Sequence, residues 1–305
     1  MPITNDGEMP QKKFYRSRAH CNPLSHNDVF DYPLHPDLMN WKDDHYPNYK
    51  KGAIPLHHQK KYNMKEDQLA PNVLDVGCGF GGLTIALSTI LPDSLILGIE
   101  IRAKVAEYVR LRIAALRKEE QDKINELQGE DQAQAQAQAQ QQQQQLYQNC
   151  SVLRTNSMKY MSNYFHKHSI SKLFFCFPDP HFKKKNHPRR IITEKLLTEY
   201  AYLLEPMKGK LYCITDVEDL HHWHLKKCDS HPLFRKLTDD ELKDDPCVNA
   251  MIMETEEGKK VARAGNAKYY AVYQRLGSEC MDVDMRSYES IEDFFDEDEF
   301  GVMSA

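Results

Sequence analysis

Four glycines within ten residues constrain this chain more than any other feature. Residues 73–82 read Val-Leu-Asp-Val-Gly-Cys-Gly-Phe-Gly-Gly, so an apolar run leads directly into the glycines. The apolar run predicts the end of a buried parallel strand, and the residues from Leu83 onward predict a helix. Glycine tolerates positive φ and lets the backbone approach a ligand with no Cβ in the way. A strand, a glycine turn and a helix N-terminus together predict the nucleotide-binding crevice of a doubly wound α/β fold.

An acid, Asp75, stands before the first glycine of the turn and narrows the choice of ligand. The dinucleotide fingerprint G-x-G-x-x-G directs a helix N-terminus at a pyrophosphate, whereas the glycines here follow the pattern G-x-G-x-G. A carboxylate at this place would repel a diphosphate but suits the cationic amino-acid end of S-adenosylmethionine. A second apolar run, residues 94–100, ends at Glu100, where a carboxylate is placed to accept both hydroxyls of a ribose. The pattern predicts an S-adenosylmethionine site and disfavours a nicotinamide oxidoreductase; a purely structural glycine turn in another α/β sheet is the alternative.

The negative charge of the chain is concentrated at its C-terminus. The whole chain has a formal net charge of −5, but residues 281–305 alone hold nine acids against the single Arg286. The remaining 280 residues are therefore mildly basic, which favours an anionic partner. The acidic tail, residues 278–305, is predicted to be disordered and solvated.

The sequence gives no indication of a membrane protein or of a metal-binding protein. No apolar run approaches the roughly 18–20 residues needed to span a bilayer, and the N-terminus lacks the apolar core of a signal peptide. The eight cysteines contain no C-x-x-C pair, so neither a disulfide framework nor a structural zinc is predicted. His221, His222 and His224 cluster on a helical pattern without a matching cysteine pair. We expect no membrane and no metal.

Basic and aromatic residues are interleaved near the N-terminus. Residues 1–10 are predicted to be disordered, and residues 11–60 to form a basic arm followed by an irregular wrap in which Trp41 and Tyr46 are packing anchors. Cations of the arm would lie on phosphates and its aromatic rings on a base or ribose, although a solvated tail is the alternative. The arm cations are Lys12, Lys13, Arg16 and Arg18.

Strands and helices alternate through residues 73–215, which predicts a mainly parallel sheet. The last strand, residues 268–276, is predicted to lie antiparallel at the edge of that sheet. The main domain would span residues 61–277. A glutamine-rich, low-complexity insert at 129–147 interrupts it without forming a domain boundary.

The stretch 172–190, KLFFCFPDPHFKKKNHPRR, is the second informative region. An apolar strand over 173–177 stops at Pro178-Asp179-Pro180, where two prolines hold Asp179 at the carboxyl end of the strand. Folds of this kind keep their chemistry at that end. A pinned carboxylate followed by dense positive charge predicts a mouth for a nucleic-acid substrate, and a plain surface loop is the alternative. The cations proposed to bind RNA here are Lys183, Lys184, Lys185, Arg189 and Arg190.

Two further positions leave alternatives open. Asn156 and Ser157 follow the third predicted strand, so that an amide and a hydroxyl there could address the adenine edge of the cofactor. Asn156 is equally suited to cap a helix over 157–165. Thr255 is predicted to begin a short helix through a capping box.

Six segments, together with the N-terminal FYRSRAH-x-NP, carry a resemblance to a known family. They are, in order, VLDVGCGFGG, LILGIEIR, LRTNSM, FCFPDPHFKKKNH, ITDVEDLHHW and TEEGKKV. Over about residues 11–277 the chain resembles the catalytic subunit of the eukaryotic tRNA (guanine-N7-)-methyltransferases. The glycine turn is shared by many methyltransferases, whereas PDPHFKKKNH and TEEGKKV are far more specific to this family.

The resemblance implies a class I S-adenosylmethionine-dependent methyltransferase fold, which is Rossmann-like with a seven-stranded, mostly parallel sheet and an antiparallel edge strand. It implies methyl transfer to N7 of a guanosine in the tRNA variable loop, with Asp179 as the catalytic residue. It also implies a heterodimer with a non-catalytic WD-repeat β-propeller subunit that helps to hold tRNA, and residence in the nucleus. The cofactor contacts that carry over are Gly77, Glu100, Ile101, Arg102, Asn156, Ser157, Cys176, Thr255 and Glu257.

Two other functions compete with this expectation. One is methylation of guanosine in other RNAs such as mRNA, or of a protein side chain. The other is a catalytically silent RNA-binding subunit, which the intact Asp75, Gly77, Glu100 and Asp179 disfavour because such a subunit has no need of a donor pocket.

Overall fold

The computed structural model describes residues 7–18, 21–25, 29–49, 69–127 and 146–277. Five predicted segments lie wholly or partly outside these residues. They are the first residues of the N-terminal stretch 1–10, residues 19–20, 26–28 and 50–60 of the arm and wrap 11–60, the start of the main domain 61–277, most of the insert 129–147 and the whole acidic tail 278–305.

A seven-stranded sheet forms the centre of the molecule. Its strands are β1 Val73–Val76, β2 Ile96–Glu100, β3 Cys150–Arg154, β4 Lys172–Cys176, β5 Lys210–Thr215, β6 Phe234–Lys236 and β7 Tyr269–Arg275. The strand order is β3-β2-β1-β4-β5-β7-β6. The first five strands are parallel, and β7 runs antiparallel to both of its neighbours. The mainly parallel sheet and its antiparallel last strand are confirmed, but the short β6, which sequence reasoning missed, lies outside β7 at the edge.

Nine α-helices are found in the part of the chain that the structure describes. They are α1 Trp41–His45, α2 Gly82–Ile90, α3 Ala103–Leu127, α4 Ser157–Tyr164, α5 Glu194–Leu203, α6 Glu218–Asp229, α7 Asp239–Leu242, α8 Pro246–Met253 and α9 Glu256–Arg263. The helices predicted from Leu83 onward and over 157–165 begin at Gly82 and Ser157. Helices α7 and α8 were not predicted.

Each face of the sheet has its own apolar core. Alternate residues of a strand point to opposite faces, so Leu74 and Phe175 belong to one core while Val73 and Phe174 belong to the other. Residues of α1, α4, α5 and α6 pack in the first core, and residues of α2, α3 and α8 in the second. This is a doubly wound arrangement, in which ligands bind beyond the carboxyl ends of the strands.

The N-terminal wrap packs on the first face through two aromatic anchors. Trp41 stacks on Phe165 with ring centroids 5.7 Å apart, and the buried Tyr46 donates to the carbonyl oxygen of Ile96 at 3.0 Å. Both anchors are fully buried, which confirms their predicted role. Residues 7–10, predicted to be disordered, are described, and Pro10 is buried.

The two ends of the parallel strands lie on different sides of the domain. We call the side of the sheet at which the carboxyl ends of β1 to β5 lie the carboxyl edge, and the side at which their amino ends lie the amino edge. Helix α3 begins beside the carboxyl edge, just after β2, and runs back so that β3 starts at the amino edge. The predicted insert falls between Leu127 and Cys150 in the sequence, and residues 128–145 lie outside the described part of the chain. Among the described helices none is long and apolar enough to cross a membrane.

Candidate active site

One cavity lies at the carboxyl edge of the sheet, where β1, β2, β3 and β4 end. The segments that follow these four strands line it, as the parallel topology requires. Most of the predicted cofactor residues are brought together there, and so are the predicted catalytic carboxylate and one of the basic residues. The predicted residues in its lining are Gly77, Glu100, Ile101, Arg102, Asn156, Ser157, Cys176, Asp179 and Arg189.

The glycine turn after β1 needs glycine for two different reasons. Gly77, Gly79 and Gly81 have φ values of 77°, 55° and 79°, which side-chain-bearing residues rarely adopt. A Cβ built on Gly77 or Gly79 would meet no atom within 4 Å, so their backbone faces an open cradle. A Cβ on Gly81 would instead lie 2.8 Å from Val109 on α3. The first two glycines thus leave room for a ligand, while the third lets α3 pack against the turn.

Asp75 lies beneath this turn and does not line the cavity. Asp75 is 2% exposed, and its carboxylate accepts a hydrogen bond from the Thr84 hydroxyl at 2.7 Å. Burial raises the pKa of this carboxyl to about 7; the hydrogen bond opposes the rise and nearby Glu256 adds to it. The carboxylate was expected to face the cationic end of a ligand, but the structure turns it into the domain towards α2.

Glu100 ends β2 with both carboxylate oxygens occupied by Arg102. The backbone amide and Nε of Arg102 donate to Oε1, each at 2.9 Å, and Nη2 donates to Oε2 at 2.7 Å. The Glu100 side chain is only 3% exposed, so this is a shielded, bidentate ion pair. A ligand that forms hydrogen bonds with Glu100 therefore competes with Arg102 for the carboxylate oxygens.

Asn156 caps helix α4. Its side-chain oxygen accepts from the amide of Met158 at 3.0 Å, and its amide nitrogen donates to the carbonyl of Pro23 at 2.6 Å. The capping alternative is therefore realised, while Asn156 and Ser157 still line the cavity. Through Pro23 and Cys21 the N-terminal segment also forms part of the cavity wall.

The Pro178–Pro180 loop after β4 presents Asp179 to the cavity. The Asp179 side chain is 25% exposed, and its Oδ1 accepts from the backbone amide of His181 at 3.1 Å. The residues on either side of the loop have left-handed backbones, with φ of 50° at Phe177 and 44° at His181. Strain of this kind accumulates at functional sites, where the surrounding structure has to hold it in place.

The basic residues after this loop divide into exposed and buried ones. Lys183, Lys184 and Lys185 are exposed, and Arg189 is half-buried in the cavity wall. The structure departs from the prediction at Arg190, which is 7% exposed. Its Nε donates to the Pro180 carbonyl at 2.9 Å, and its guanidinium lies 4.5 Å from the ring centroid of Trp223. Arg190 therefore braces the loop from inside and has no open surface for a phosphate.

The basic arm docks beside the glycine turn. Tyr15 is buried edge-on against Tyr108, with ring centroids 5.7 Å apart, whereas Lys13, Arg16 and Arg18 are exposed. Lys12 is also exposed, but its ammonium group pairs with Glu256 at 2.9 Å.

Helix α9 reaches the glycine turn through a residue that sequence reasoning missed. Glu256 accepts from the amide of Gly82 at 3.1 Å through Oε2, and from Arg112 at 3.2 Å and Lys12 at 2.9 Å through Oε1. One carboxylate thus joins the arm, α3 and the start of α2. No local pattern in the sequence signals this, because its three partners are remote along the chain.

The neighbours of Glu256 do not line the cavity. Thr255 caps α9 by accepting from the amide of Gly258 at 3.0 Å, and Glu257 pairs with Lys260 on the same helix. The predicted capping box is incomplete, because the third helical residue is Gly258 and has no side chain to reciprocate. A complete capping box is instead formed at the start of α7, by Thr238 and Glu241.

Gly82→Ala is expected to destabilise the protein by about 1–3 kcal/mol, which is typical of forced overpacking. The new Cβ would lie 2.4 Å from the carbonyl oxygen of Glu254 and 2.5 Å from Glu256 Oε2. Urea unfolding measures the loss of stability, with Thr89→Ala, an exposed position on the same helix, as the control. An unchanged midpoint for Gly82→Ala would show that α9 does not press on the turn.

The open cradle at Gly77 and Gly79 and the shielded acid at Glu100 suit a nucleoside-bearing ligand. The family described as "Putative methyltransferase" matches residues 69–271 of the chain. The fold and the match together define a class I methyltransferase, whose methyl donor is S-adenosylmethionine.

Relatives refine the class to a family. The chain is 45% identical over 276 residues to the tRNA (guanine-N(7)-)-methyltransferase of Botryotinia fuckeliana (strain B05.10), covering 88% of this chain and 89% of that protein. It is 45% identical over 269 residues to the enzyme of that name from Brugia malayi, covering 88% of each. For the Caenorhabditis elegans enzyme the identity is 46% over 268 residues, covering 88% of this chain and 89% of that one. The chain belongs to the tRNA (guanine-N(7)-)-methyltransferase family.

Proposed function

We propose that this protein transfers the methyl group of S-adenosylmethionine to N7 of a guanosine in the variable loop of tRNA. In this proposal it acts as the catalytic subunit of a two-chain complex with a WD-repeat β-propeller protein. One observation carries the reaction: Asp179 and the predicted cofactor residues Gly77 and Glu100 line the same cavity. The relatives named tRNA (guanine-N(7)-)-methyltransferase support tRNA as the substrate.

The cofactor contacts follow from the cavity wall. The backbone at Gly77 would hold the amino-acid end of the donor, Glu100 its ribose, and Asn156 and Ser157 its adenine edge. Ile101 and Cys176 supply apolar wall. Helix α9 contributes through Glu256, which ties down the start of α2, rather than through direct contact of Thr255 or Glu257 with the cavity.

Arg102 has to yield when the ribose binds. A carboxylate offers about four lone-pair sites, and the Arg102 donors already occupy three of those on Glu100. Two ribose hydroxyls need two acceptor positions, so Arg102 gives up at least one contact. The ion pair with Arg102 thus keeps Glu100 in its orientation until the ribose hydroxyls replace one or more of the Arg102 hydrogen bonds.

The chemistry requires positioning rather than proton removal. S-adenosylmethionine supplies a methyl group made electrophilic by the sulfonium that carries it. Guanine N7 has an in-plane lone pair and no proton to lose, so the site needs no general base. Positive charge develops on the purine during the transfer. Asp179 can accept from the N1–H and N2–H edge of guanine, and its negative charge then stabilises the purine cation that forms.

Exposed cations on two sides of the cavity are proposed to bind the phosphates of tRNA. The arm contributes Lys13, Arg16 and Arg18, and Lys12 stands beside them in its pair with Glu256. The segment Lys184–Arg189 and the preceding Lys183 flank the cavity on the side of Asp179. Phosphate contacts of this kind fix the register of an RNA without reading its sequence.

Reversing the charge at Lys183, Lys184 and Lys185 should weaken tRNA binding and make it less dependent on salt. Removal of one phosphate contact is expected to lower the slope of log K against log salt by about one. Fluorescence titration of labelled tRNA at several salt concentrations measures the slope. The matched control reverses Lys208, Lys236 and Lys243, three exposed lysines elsewhere on the domain. Equal slopes for the two triple variants would remove the 183–185 segment from the RNA interface.

The proposed function is tested by mapping N7-methylguanosine, through reduction and chain cleavage, on tRNA treated with the protein and a labelled methyl donor. We expect cleavage at one variable-loop guanosine, and a faster reaction when a WD-repeat partner is added. Parallel reactions with mRNA and with protein acceptors separate the alternatives. Label in mRNA or protein but not in tRNA would refute the proposal.

A further inference from the structure

His181 holds a backbone conformation that a glycine would adopt at lower cost. Its φ is 44°, in the left-handed region that is unfavourable for residues with a Cβ. Its amide closes the turn by donating to Asp179 Oδ1 at 3.1 Å. Glycine could provide this same amide without strain, so turn formation alone does not account for an imidazole at this position.

The imidazole ring lies in the wall of the cavity beside Asp179. The His181 side chain is 10% exposed, and its Nδ1 is 3.8 Å from Asp179 Oδ1. A carboxylate, which only accepts hydrogen bonds when ionised, therefore stands next to a ring that can donate one. Both residues line the cavity in which the acceptor base would lie.

The pair of Asp179 and His181 matches the hydrogen-bonding pattern of guanine and opposes that of adenine. On guanine, O6 is an acceptor and stands next to the N1–H donor, with N2–H following. On adenine, the exocyclic amine is a donor and the neighbouring N1 is an acceptor, so the pattern is reversed. A donor beside a carboxylate therefore favours guanine twice and rejects adenine twice.

Recognition of guanine through O6, N1–H and N2–H also leaves N7, the atom that is methylated, free of hydrogen bonds. Arginine commonly recognises guanine through O6 and N7 together, which would occupy the lone pair that has to attack the methyl group. A single donor to O6, placed on the Asp179 side, avoids N7. Arg189 lies in the same cavity wall, so it is the competing donor that any test must separate from His181.

We propose that His181 is a specificity-determining residue, which donates a hydrogen bond to guanine O6 while Asp179 accepts from N1–H and N2–H. The inference rests on the proposed function and adds the residue that distinguishes guanine at the site of methyl transfer.

The test crosses enzyme variants with acceptor analogues in a synthetic tRNA. One tRNA carries 6-thioguanosine at the acceptor position, which replaces O6 by a poor acceptor; another carries inosine there, which lacks only the N2 amino group. His181→Gly removes the ring and keeps the turn. His181→Asn restores a donor on a residue that tolerates positive φ. The readout is kcat/KM for N7-methyl formation, with calorimetric affinity for S-adenosylmethionine as the check on folding.

We expect kcat/KM of the wild type to fall about tenfold on 6-thioguanosine, as when one hydrogen bond is removed. For His181→Gly it should fall about tenfold on guanosine and show little further decrease on 6-thioguanosine. The inosine penalty of this variant should match that of the wild type, since Asp179 is intact, and His181→Asn should recover part of the rate.

His168→Gly is the matched control, because His168 is also left-handed, with φ of 60°, and precedes β4 at the amino edge. Its ratio of guanosine to 6-thioguanosine rates should equal that of the wild type. The proposal is overturned if His181→Gly keeps the wild-type ratio, or if Arg189→Ala rather than His181→Gly abolishes sensitivity to sulfur. A wild type that methylates no tRNA guanosine would instead refute the proposed function itself.

Discussion

Asp179→Asn should lower kcat by two to three orders of magnitude, roughly the effect of removing one preorganised electrostatic contact from an active site. The change removes the negative charge that favours the purine cation and weakens acceptance from N1–H and N2–H. Asparagine keeps an oxygen that can still accept from the His181 amide, so the turn around the residue should survive. Single-turnover methyl transfer to tRNA measures the rate, and calorimetry should show unchanged affinity for S-adenosylmethionine.

Asp240→Asn, an exposed acid on α7, serves as the control for a general loss of negative charge. If Asp179→Asn retained near-normal turnover, the residue would have no part in stabilising the transition state. If the variant also bound the cofactor more weakly, the loss of rate would reflect a general change in the cavity rather than the loss of a contact with the acceptor purine.

Asp75→Asn should stabilise the protein above neutral pH by roughly 4 kcal/mol. The pKa of Asp75 is raised to about 7 in the fold from an ordinary value of 3.8, mainly by burial. The folded state therefore binds the proton more tightly than the unfolded chain. The contribution of Asp75 to stability should therefore fall as pH rises from about 4 to about 7 and then level off, whereas an amide carries no such penalty. The difference between the two proteins isolates this contribution, because burial also lowers the pKa values of His45, His224 and His231, and these groups affect both proteins equally. The two proteins should converge near pH 4.

Urea unfolding of the free protein at pH 4.5, 6 and 8 gives the comparison, with the exposed Asp122→Asn on α3 as control. Parallel curves for wild type and Asp75→Asn would mean that the buried carboxyl carries no ionisation cost.

Regular, local patterns explain why most of the fold was predictable. The strands β1, β2, β4 and β5 are short apolar runs, and each is followed by a helix with clear periodicity, so their order implies a parallel sheet. The three residues of β6 are too few to show a period. Asn249 is the one polar side chain among the apolar residues of α8, so the sequence lacks the polar face that marks an amphipathic helix.

The site was predictable where chemistry follows directly from a strand end. Glu100 and Asp179 lie where the sheet topology places them, and the structure brings both to one cavity. Side-chain direction was not predictable, because it depends on elements far apart in sequence. Arg190 turns inward since Trp223 offers it a ring to cover, and Glu256 rather than Glu257 reaches the glycine turn.

Helix α3 ends at Leu127, and β3 begins with Cys150 at the amino edge, across the sheet from the cavity. Chain spliced between Leu127 and Cys150 therefore emerges away from the reacting groups and from the basic residues around the cavity. An affinity handle, a fluorophore-labelling peptide or a small folded reporter placed there would follow the enzyme on its RNA without obstructing methyl transfer. Attachment at the N-terminus would instead load the part of the chain whose residues Cys21 and Pro23 form part of the cavity wall.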